Sequence, residues 1–393
     1  MSLPIENALT KGRLITVDAL RGIAALSIAV AHVSGNIVMT FEQMGDSLLN
    51  VLFFPFTVGI ARVYLFFLIS GFCIHLRWVK AKVDPKKDTK DALAFIPFWK
   101  RRFWRLYPPY LIALSIYILL EVFLGKVVFN GSFVWDLFAH IFMIHNLDAS
   151  TVYSFNGQFW TLAIEEQLYL AYFLLIWVRV KWGWKAAIGL TLAARIAWFI
   201  FTPVVMKLTG FKIPTVEASM ATWFLWAAGA LAVEHAYGLV KLPKWTSKFS
   251  IGFILLLLSA GWYVYGFVAL VNNPGLLSKV WWFTAQPMWG VTFFFLMSWF
   301  VSLENRELNW WQNRILKTGA WFGMFAYSIY LMCEFVVRIA PGTPWILKAV
   351  LTVVIGYIFH RLFERPFMSK TWKQGIRKYE SGDQPTLKEA EAV

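Results

Sequence analysis

An arginine and a histidine in the first apolar segment are the pair best suited to chemistry. Arg21 and His32 are eleven residues apart within 17–32. At about 100° per residue this spacing returns to nearly the same helix face, with His32 about 16 Å farther along the axis. Ionisable residues are costly in lipid, so this face should line a polar interior. Histidine exchanges a proton near neutral pH and arginine holds anions, so the pair favours a catalytic function.

The composition is typical of a helical membrane protein. Of the 393 residues, 59% are hydrophobic and 15% are charged, against about 25% charged in soluble domains. Apolar runs of about twenty residues recur along the chain, and each is long enough to cross a bilayer as a helix. We therefore predict an all-α membrane protein.

The placement of basic residues predicts the orientation of the helices. We predict ten spans, near 15–38, 52–76, 105–124, 160–180, 184–204, 219–238, 250–270, 279–302, 319–340 and 345–363. Most of the 37 Lys and Arg residues flank these spans on one side, whereas the other side carries Lys126, Lys207, Lys212, Lys279 and Arg338. Basic loops remain in the cytoplasm, so both termini should be cytoplasmic. Topology and anionic headgroups then explain the net charge of +15, and nucleic acid is not an expected partner.

The chain is predicted to be one membrane domain with a short tail. Residues 1–370 form the transmembrane domain, and 371–393 lack an apolar stripe, as is typical of a disordered cytoplasmic tail. Segment 133–147 is too short to cross a bilayer and is predicted to be re-entrant or interfacial. The second half of loop 77–104 is predicted to be a separate amphipathic helix at the headgroups.

Five sequence blocks occur in a fixed order along the chain. They are VDALRGIAAL (17–26) with the Arg21–His32 spacing, LFFLISGF (65–72), RRFWRLYPPYL (101–111), FWTLAIEEQLY (159–169) and FERPF (363–367). Together they resemble the acyltransferase 3 family of integral-membrane enzymes, which O-acylate sugars and other envelope or secreted molecules. The resemblance implies a bacterial inner-membrane enzyme that moves an acyl group, acetyl by preference, from cytoplasmic acyl-CoA to a hydroxyl of a glycan or glycoconjugate at the outer side.

The resemblance implies roles for the residues of the first span. His32 would be the general base that takes the proton of the acceptor hydroxyl as it attacks the thioester carbonyl. The alternative is a core histidine satisfied by a neighbouring helix. Arg21 either holds donor phosphate or polarises the acyl oxygen. Asp18 shares the face of Arg21, and it either neutralises the arginine or contributes to substrate binding.

Two adjacent glutamates lie in the fourth predicted span, close to its outer end. Glu165 and Glu166 diverge by about 100° on a helix, so only one can face a given cavity. Either could cap the helix N-terminus. In the functional interpretation one of them orients His32 or binds the sugar; we favour Glu165 as the catalytic residue and Glu166 for substrate binding. The topology predicts that Glu165 and His32 share the outer half of the membrane.

The donor site is predicted at the cytoplasmic side. Arg102 and Arg105 share a helix face, which suits a phosphate clamp for coenzyme A, although the positive-inside rule also explains arginines there. Tyr107 follows them in the same block. Ser70 and Gly71 either permit close helix packing or allow the pantetheine arm to approach the backbone.

Four other histidines have a structural interpretation in the sequence. His140 and His145 are five residues apart, which is poor spacing for a helical metal site, so we predict no bound metal. His75 and His360 lie near cytoplasmic span ends and are predicted to be interfacial.

The ninth predicted span departs from the family pattern. It reads AYSIYLMCE (326–334), where the family often has Ser at the start and His in place of Cys333. Either Glu334 substitutes for that histidine at the acceptor site or the acceptor differs. A covalent relay through Cys73 or Cys333 is the alternative mechanism, although neither has an activating neighbour in sequence.

A transporter or flippase for a polar or lipid-linked substrate is the alternative function. Arg21, His32 and Glu165 would then form a proton or substrate relay. The apolar spans are unbroken and show no internal repeat, which weighs against this class.

Overall fold

The computed structural model describes residues 14–33, 59–272 and 275–368. Across these ranges the secondary structure is helical, without β-strands, so the prediction of an all-α protein is confirmed. The tail 371–393 and the predicted span ends 34–38 and 52–58 lie outside the described residues.

Helices account for every predicted span where the chain is described. In chain order they are α1 (Ile15–Val33), α2 (Gly59–Val83), α3 (Phe95–Phe123), α4 (Gly131–Ile141), α5 (Trp160–Thr209), α6 (Ser219–Ala236), α7 (Phe249–Asn272), α8 (Leu276–Ser302), α9 (Trp310–Met324), α10 (Ala326–Ile339) and α11 (Trp345–Phe359). Short helical turns join several of them, including Thr89–Ala92 and His145–Leu147.

The number of spans differs from the predicted ten. By length and composition, six of the described helices are able to cross a membrane, or seven if the bent pair α9–α10 is one span. The six are α1, α2, α3, α5, α7 and α11. The prediction of ten divides α5 into two spans and also includes α6 and α8.

Helix α5 explains part of this difference. It is 50 residues long and is interrupted at Gly183, where φ is 82° and ψ is −179°. Side chains other than hydrogen rarely tolerate such a positive φ, so glycine permits the break. The break falls between the predicted spans 160–180 and 184–204, and the two halves therefore correspond to the two predictions.

The structure differs from two other predictions. The ninth predicted span is bent by 69° between α9 and α10, at Phe325, which is buried. The separate amphipathic helix predicted before the third span is wrong, because α3 runs without interruption from Phe95 to Phe123 through Pro108 and Pro109. Proline at adjacent positions loses backbone hydrogen bonds but here does not end the helix.

Segment 131–141 forms a short helix with an exposed apolar side. Asn130 caps α4 by accepting the amide of Phe133 at 3.0 Å, and 11 residues give a length of only about 16 Å. Val134 and Phe138 are exposed. This length fits a segment that enters or lies on the membrane without crossing it.

The chain divides into two compact units, described here one at a time. Unit 1 contains residues 1–94 and 229–393, and unit 2 contains residues 95–228. The boundary between them falls within α6.

In unit 1, glycines hold α1 against α9. A Cβ placed at Gly22 would lie 2.0 Å from the carbonyl oxygen of Gly319, and one at Gly323 would lie 1.9 Å from that of Asp18. Gly319 and Gly323 are four residues apart, so they face the same way on α9 and permit close approach of the two backbones. This contact positions the helix that carries Arg21 and His32.

Candidate functional site

Arg21 is neutralised by its neighbour on α1. Its Nη1 lies 3.3 Å from Oδ1 of Asp18, and the aspartate side chain is buried while the arginine is half-buried. The i,i+3 spacing predicts this ion pair. Of the two roles considered for Asp18, this geometry favours neutralisation of Arg21.

His32 lies on the same continuous helix and is half-buried. The structure shows no hydrogen bond from its imidazole to any described residue. The guanidinium of Arg62, on α2, lies within electrostatic range of the imidazole. Among the described residues, no neighbouring helix supplies a hydrogen bond that would satisfy His32 as a core histidine.

Arg62 is a functional candidate that the sequence analysis missed. It is 7% exposed, and neither Nη1 nor Nη2 has a hydrogen-bond partner within the described part of the chain. Its presence in an apolar run was visible in the sequence. Only the fold reveals that it is buried and lies within electrostatic range of His32.

Ser70 and Gly71 lie on α2 near a close helix contact. A Cβ at Gly229 would lie 1.9 Å from the carbonyl oxygen of Leu68 and 2.9 Å from the amide nitrogen of Phe72. Gly71 is buried and Ser70 is half-buried. Gly229 permits this close contact, and the choice between helix packing and a pantetheine approach for Ser70 and Gly71 stays a prediction.

Glu334 on α10 is held by an arginine one turn later. Nε of Arg338 donates to Oε1 of Glu334 at 3.1 Å, and Nη2 donates to the same oxygen. Oε2 of Glu334 is buried and has no hydrogen-bond partner among the residues that the structure describes. Cys333 is buried, and its thiol donates to the Tyr330 carbonyl at 3.4 Å.

His75 and His360, which the sequence predicts to be interfacial, are both buried within the protein, and each meets a carboxylate. Nε2 of His75 lies 2.8 Å from Oε1 of Glu234, and Nδ1 of His360 lies 2.8 Å from Oε2 of Glu364. Both carboxylates are buried, so each pair compensates the cost of desolvation. The partner of His75 lies on another helix and was not visible in the local sequence.

Glu364 also explains the FERPF block. Ser328 of α10 donates to Oε2 of Glu364 at 2.5 Å. The carboxylate therefore joins α10 to the π-helical turn His360–Glu364 that follows α11. This arrangement indicates a structural role for the block.

In unit 2, the two central glutamates surround an arginine–tyrosine contact. The guanidinium of Arg102 lies 5.9 Å from the ring centroid of Tyr169, and the Tyr169 hydroxyl donates to Oε1 of Glu165 at 2.6 Å. Glu166 is within electrostatic range of Arg102 and of Tyr107. The fold thus joins two of the predicted sites, the arginine block and the glutamate block.

The structure corrects one expectation for the glutamates. Helix α5 starts at Trp160 and has no acidic residue in its first turn, so the capping interpretation is wrong. Arg102 and Glu165 both contact Tyr169, although the sequence predicts Arg102 at the cytoplasmic boundary and Glu165 in the outer half of the membrane. These two predicted depths cannot both hold, and the depth of Glu165 stays a prediction.

Arg105 and Tyr107, which are also predicted for the donor site, lie on α3 together with Arg102. Both are half-buried, and the Tyr107 ring stacks on Phe103 with centroids 4.9 Å apart. Nε of Arg102 is buried with no hydrogen-bond partner in the described ranges.

A second cluster in unit 2 was not expected. The rings of His140 and His145 stack with centroids 3.9 Å apart, and Nδ1 of His140 lies 3.1 Å from Oδ1 of Asp136. Met143, between the histidines, has a φ of 53°, which turns the chain back after α4 and brings the rings together. Helical spacing was therefore the wrong basis for judging this pair.

Together with nearby side chains, the stacked histidines do not make up a three-ligand metal site among the described residues. The described residues contain no group of three or more His, Cys, Asp or Glu side chains arranged to hold a metal ion. Burial, and then the nearby charge of His140, lower the pKa of His145 to about 3. The ring is thus neutral at physiological pH and behaves as part of the packed interior.

Comparison with known families identifies the class of protein. A family model described as an acyltransferase domain matches residues 14–361. This range contains four of the five sequence blocks, and FERPF lies directly beyond its end.

Two curated relatives are similar over parts of their length. Acyltransferase MdmB of Streptomyces mycarofaciens is 28% identical over 195 residues, which are 48% of this chain and 46% of the relative. ORF330 of Acidianus two-tailed virus, whose name proposes an acetyltransferase, is 24% identical over 297 residues, 70% of this chain and 80% of the relative. The match therefore spans about half the length of MdmB. No solved structure matches the chain.

The family match covers most of the sequence, and the apolar helices are those of a multi-pass membrane protein. The chain belongs to the acyltransferase 3 family.

Proposed function

We propose that the protein is an O-acyltransferase of the bacterial inner membrane. It transfers acetyl from acyl-CoA, supplied by the cytoplasm, to a hydroxyl of a glycan or glycoconjugate at the outer side. Family membership over residues 14–361 supports acyl transfer. The observation that carries the mechanism is His32, a half-buried imidazole on α1 beside a buried arginine.

His32 acts as the general base in this proposal. The imidazole takes the proton of the acceptor hydroxyl as its oxygen attacks the thioester carbonyl carbon. The tetrahedral intermediate collapses, the carbon–sulfur bond breaks, and the acyl group stays on the acceptor oxygen as an ester. The proton held by His32 then passes to the leaving thiolate, which restores the neutral imidazole.

Arginines of unit 2 hold the donor phosphates in this proposal. Arg102 and Arg105 are the clamp, and the partner-free Nε of Arg102 supports a further hydrogen bond to an anion. Tyr107 supports the site from the same helix. Glu166 attracts the guanidinium of Arg102 electrostatically. Glu165 accepts a hydrogen bond from the Tyr169 hydroxyl and so orients it.

Acceptor binding involves the ninth-span region of unit 1. Glu334 is fixed by Arg338 and keeps one buried carboxylate oxygen without a partner in the described residues. A carboxylate oxygen of this kind accepts hydrogen bonds from sugar hydroxyls. We propose that it orients the acceptor in place of the histidine that the family pattern often has where this chain has Cys333.

The ratio of CoA thiol released to acetyl ester formed tests the proposed function. The full-length protein is reconstituted into vesicles with acetyl-CoA inside and envelope glycans outside. We expect one CoA thiol released inside for each acetyl ester formed outside. Release of acetyl-CoA itself, or movement of a glycan without thiol release, would instead identify a transporter. Mass spectrometry of glycans from a deletion strain would then name the acceptor by its missing acyl group.

A further inference from the structure

We propose that Arg62 stabilises the oxyanion that forms when the acceptor attacks the thioester. The inference rests on the proposed acyl transfer at His32. It assigns to Arg62 the polarising role that the sequence analysis considered for Arg21.

Two other buried cations of the described chain have hydrogen-bond partners. Arg195 donates to the Ala221 carbonyl at 2.6 Å and lies 4.7 Å from the Phe199 ring centroid. Lys348 donates to the Pro341 carbonyl at 3.1 Å. Arg62 is buried to a similar degree, yet both terminal nitrogens of its guanidinium have no partner in the described ranges. It therefore differs from the buried cations that serve packing.

An isolated guanidinium is costly to bury. The effective penalty for a desolvated ion is several kcal/mol unless an opposite charge compensates it. Arg62 is always protonated, so it cannot avoid the cost by losing its proton. Arg21 has its own carboxylate in Asp18. Because no described residue pairs an anion with the Arg62 guanidinium, we infer that the substrate supplies the negative charge during the reaction.

The position of Arg62 indicates which anion this is. Its guanidinium lies within electrostatic range of the His32 imidazole, the group that takes the acceptor proton. Negative charge develops next to that proton transfer, on the carbonyl oxygen of the thioester. A fixed positive charge in a poorly solvated site stabilises such an oxyanion without reorganisation.

The step balances without a change in Arg62. The acceptor oxygen forms a bond to the carbonyl carbon as its proton moves to His32. The carbonyl π electrons move to oxygen, which Nη1 and Nη2 of Arg62 then hold. When the carbonyl reforms, those electrons return, the carbon–sulfur bond breaks, and the thiolate takes the proton from His32.

Kinetics of Arg62→Met and Arg62→Lys test the proposal. Purified full-length protein is assayed with acetyl-CoA and methyl β-D-glucopyranoside as the hydroxyl acceptor. We expect Arg62→Met to lower kcat by about 10²–10³-fold, with the KM for acetyl-CoA changed by less than about threefold. Arg62→Lys retains the charge but loses the planar fork, so we expect an intermediate kcat.

Arg195→Met is the matched control, because it removes a buried arginine that already has partners. It should lower the melting temperature in detergent and leave kcat per folded molecule unchanged. If Arg62→Met does not accumulate in folded form, Arg62→Lys decides: a kcat equal to that of the parent overturns the proposal.

Other results would distinguish a failure of the Arg62 assignment from a failure of the proposed acyl transfer. A raised KM with an unchanged kcat in Arg62→Met would mean that Arg62 binds a permanent anion of the ground state, and the oxyanion assignment would be wrong. If His32→Ala abolishes transfer while Arg62→Met does not, only this inference fails. If His32→Ala retains transfer, the proposed base itself is wrong.

Discussion

At the scale of single residues, the buried ionisable groups separate into paired and unpaired sets. His75 and His360 each meet a glutamate, and Arg21 meets Asp18. His32 and Arg62 have no hydrogen-bond partner in the described part of the chain. Paired groups compensate their own burial. His32 is only half-buried, and Arg62 carries a charge that no hydrogen bond satisfies within the described residues, so we favour these two as reactive residues.

The donor arginines give a prediction at this scale. We expect Arg102→Met to raise the KM for acetyl-CoA about tenfold or more, with little change in kcat, because ground-state phosphate binding is lost. Arg105→Ala should act in the same direction. Lys100→Ala is the control, since Lys100 is an exposed cation on the same helix. An unchanged KM with a lower folded yield would show that these arginines serve only topology.

The buried His145 predicts a pH dependence of stability. Its pKa falls from 6.5 to about 3, chiefly through burial, so below pH 6.5 the unfolded chain binds a proton that the folded chain excludes. Stability should be complete above about pH 6.5 and decrease toward pH 3, by up to about 1.4 kcal/mol per pH unit. Thermal unfolding in detergent at pH 7.5 and 5 measures this.

His145→Gln provides the comparison for that slope. The variant lacks the titrating ring, so its melting temperature should depend less steeply on pH across the same interval. An equal slope in the parent and the variant would show that His145 is not the group responsible.

At the scale of elements, the contact between α1 and α9 supports the site. A Cβ at Gly323 would lie 1.9 Å from the backbone oxygen of Asp18, and a backbone atom cannot turn aside as a flexible side chain can. Gly323→Ala should therefore lower the free energy of unfolding by about 1–3 kcal/mol or more. The measurement is the melting temperature together with acyl-transfer activity.

Gly189→Ala is the control for this helix contact. A Cβ at Gly189, within α5, meets nothing within 4 Å. Alanine favours a helix over glycine by about 1 kcal/mol, so this variant should be unchanged or slightly more stable. Equal effects of the two substitutions would remove the steric explanation.

Sequence patterns predicted the helices better than the contacts between them. Hydropathy located every helix that carries a predicted span, and i,i+3 spacing predicted the Arg21–Asp18 pair. The bend at Phe325, the partner of His75 and the stacking of His140 on His145 depend on distant elements or on a positive φ at Met143. Local periodicity carries no information about such features.

At the scale of the whole molecule, the distribution of charge predicts topology. Lys126 follows α3 and Lys181 adjoins the break at Gly183, and both are exposed within unit 2. By the positive-inside rule Lys126 is outside and Lys181 is cytoplasmic. A membrane-impermeant maleimide added to intact cells should label Lys126→Cys but not Lys181→Cys. The opposite pattern would invert the orientation and the proposed side of donor entry.

The central claim is that His32 accepts the proton of the acceptor hydroxyl, and the rate of acetyl transfer by His32→Ala tests it most directly. The account predicts a kcat lower by about 10²–10⁴-fold in a folded protein. His235→Gln, at a half-buried histidine of α6 that contacts Thr246, should retain the parental kcat. Transfer by His32→Ala at the parental rate would contradict the account.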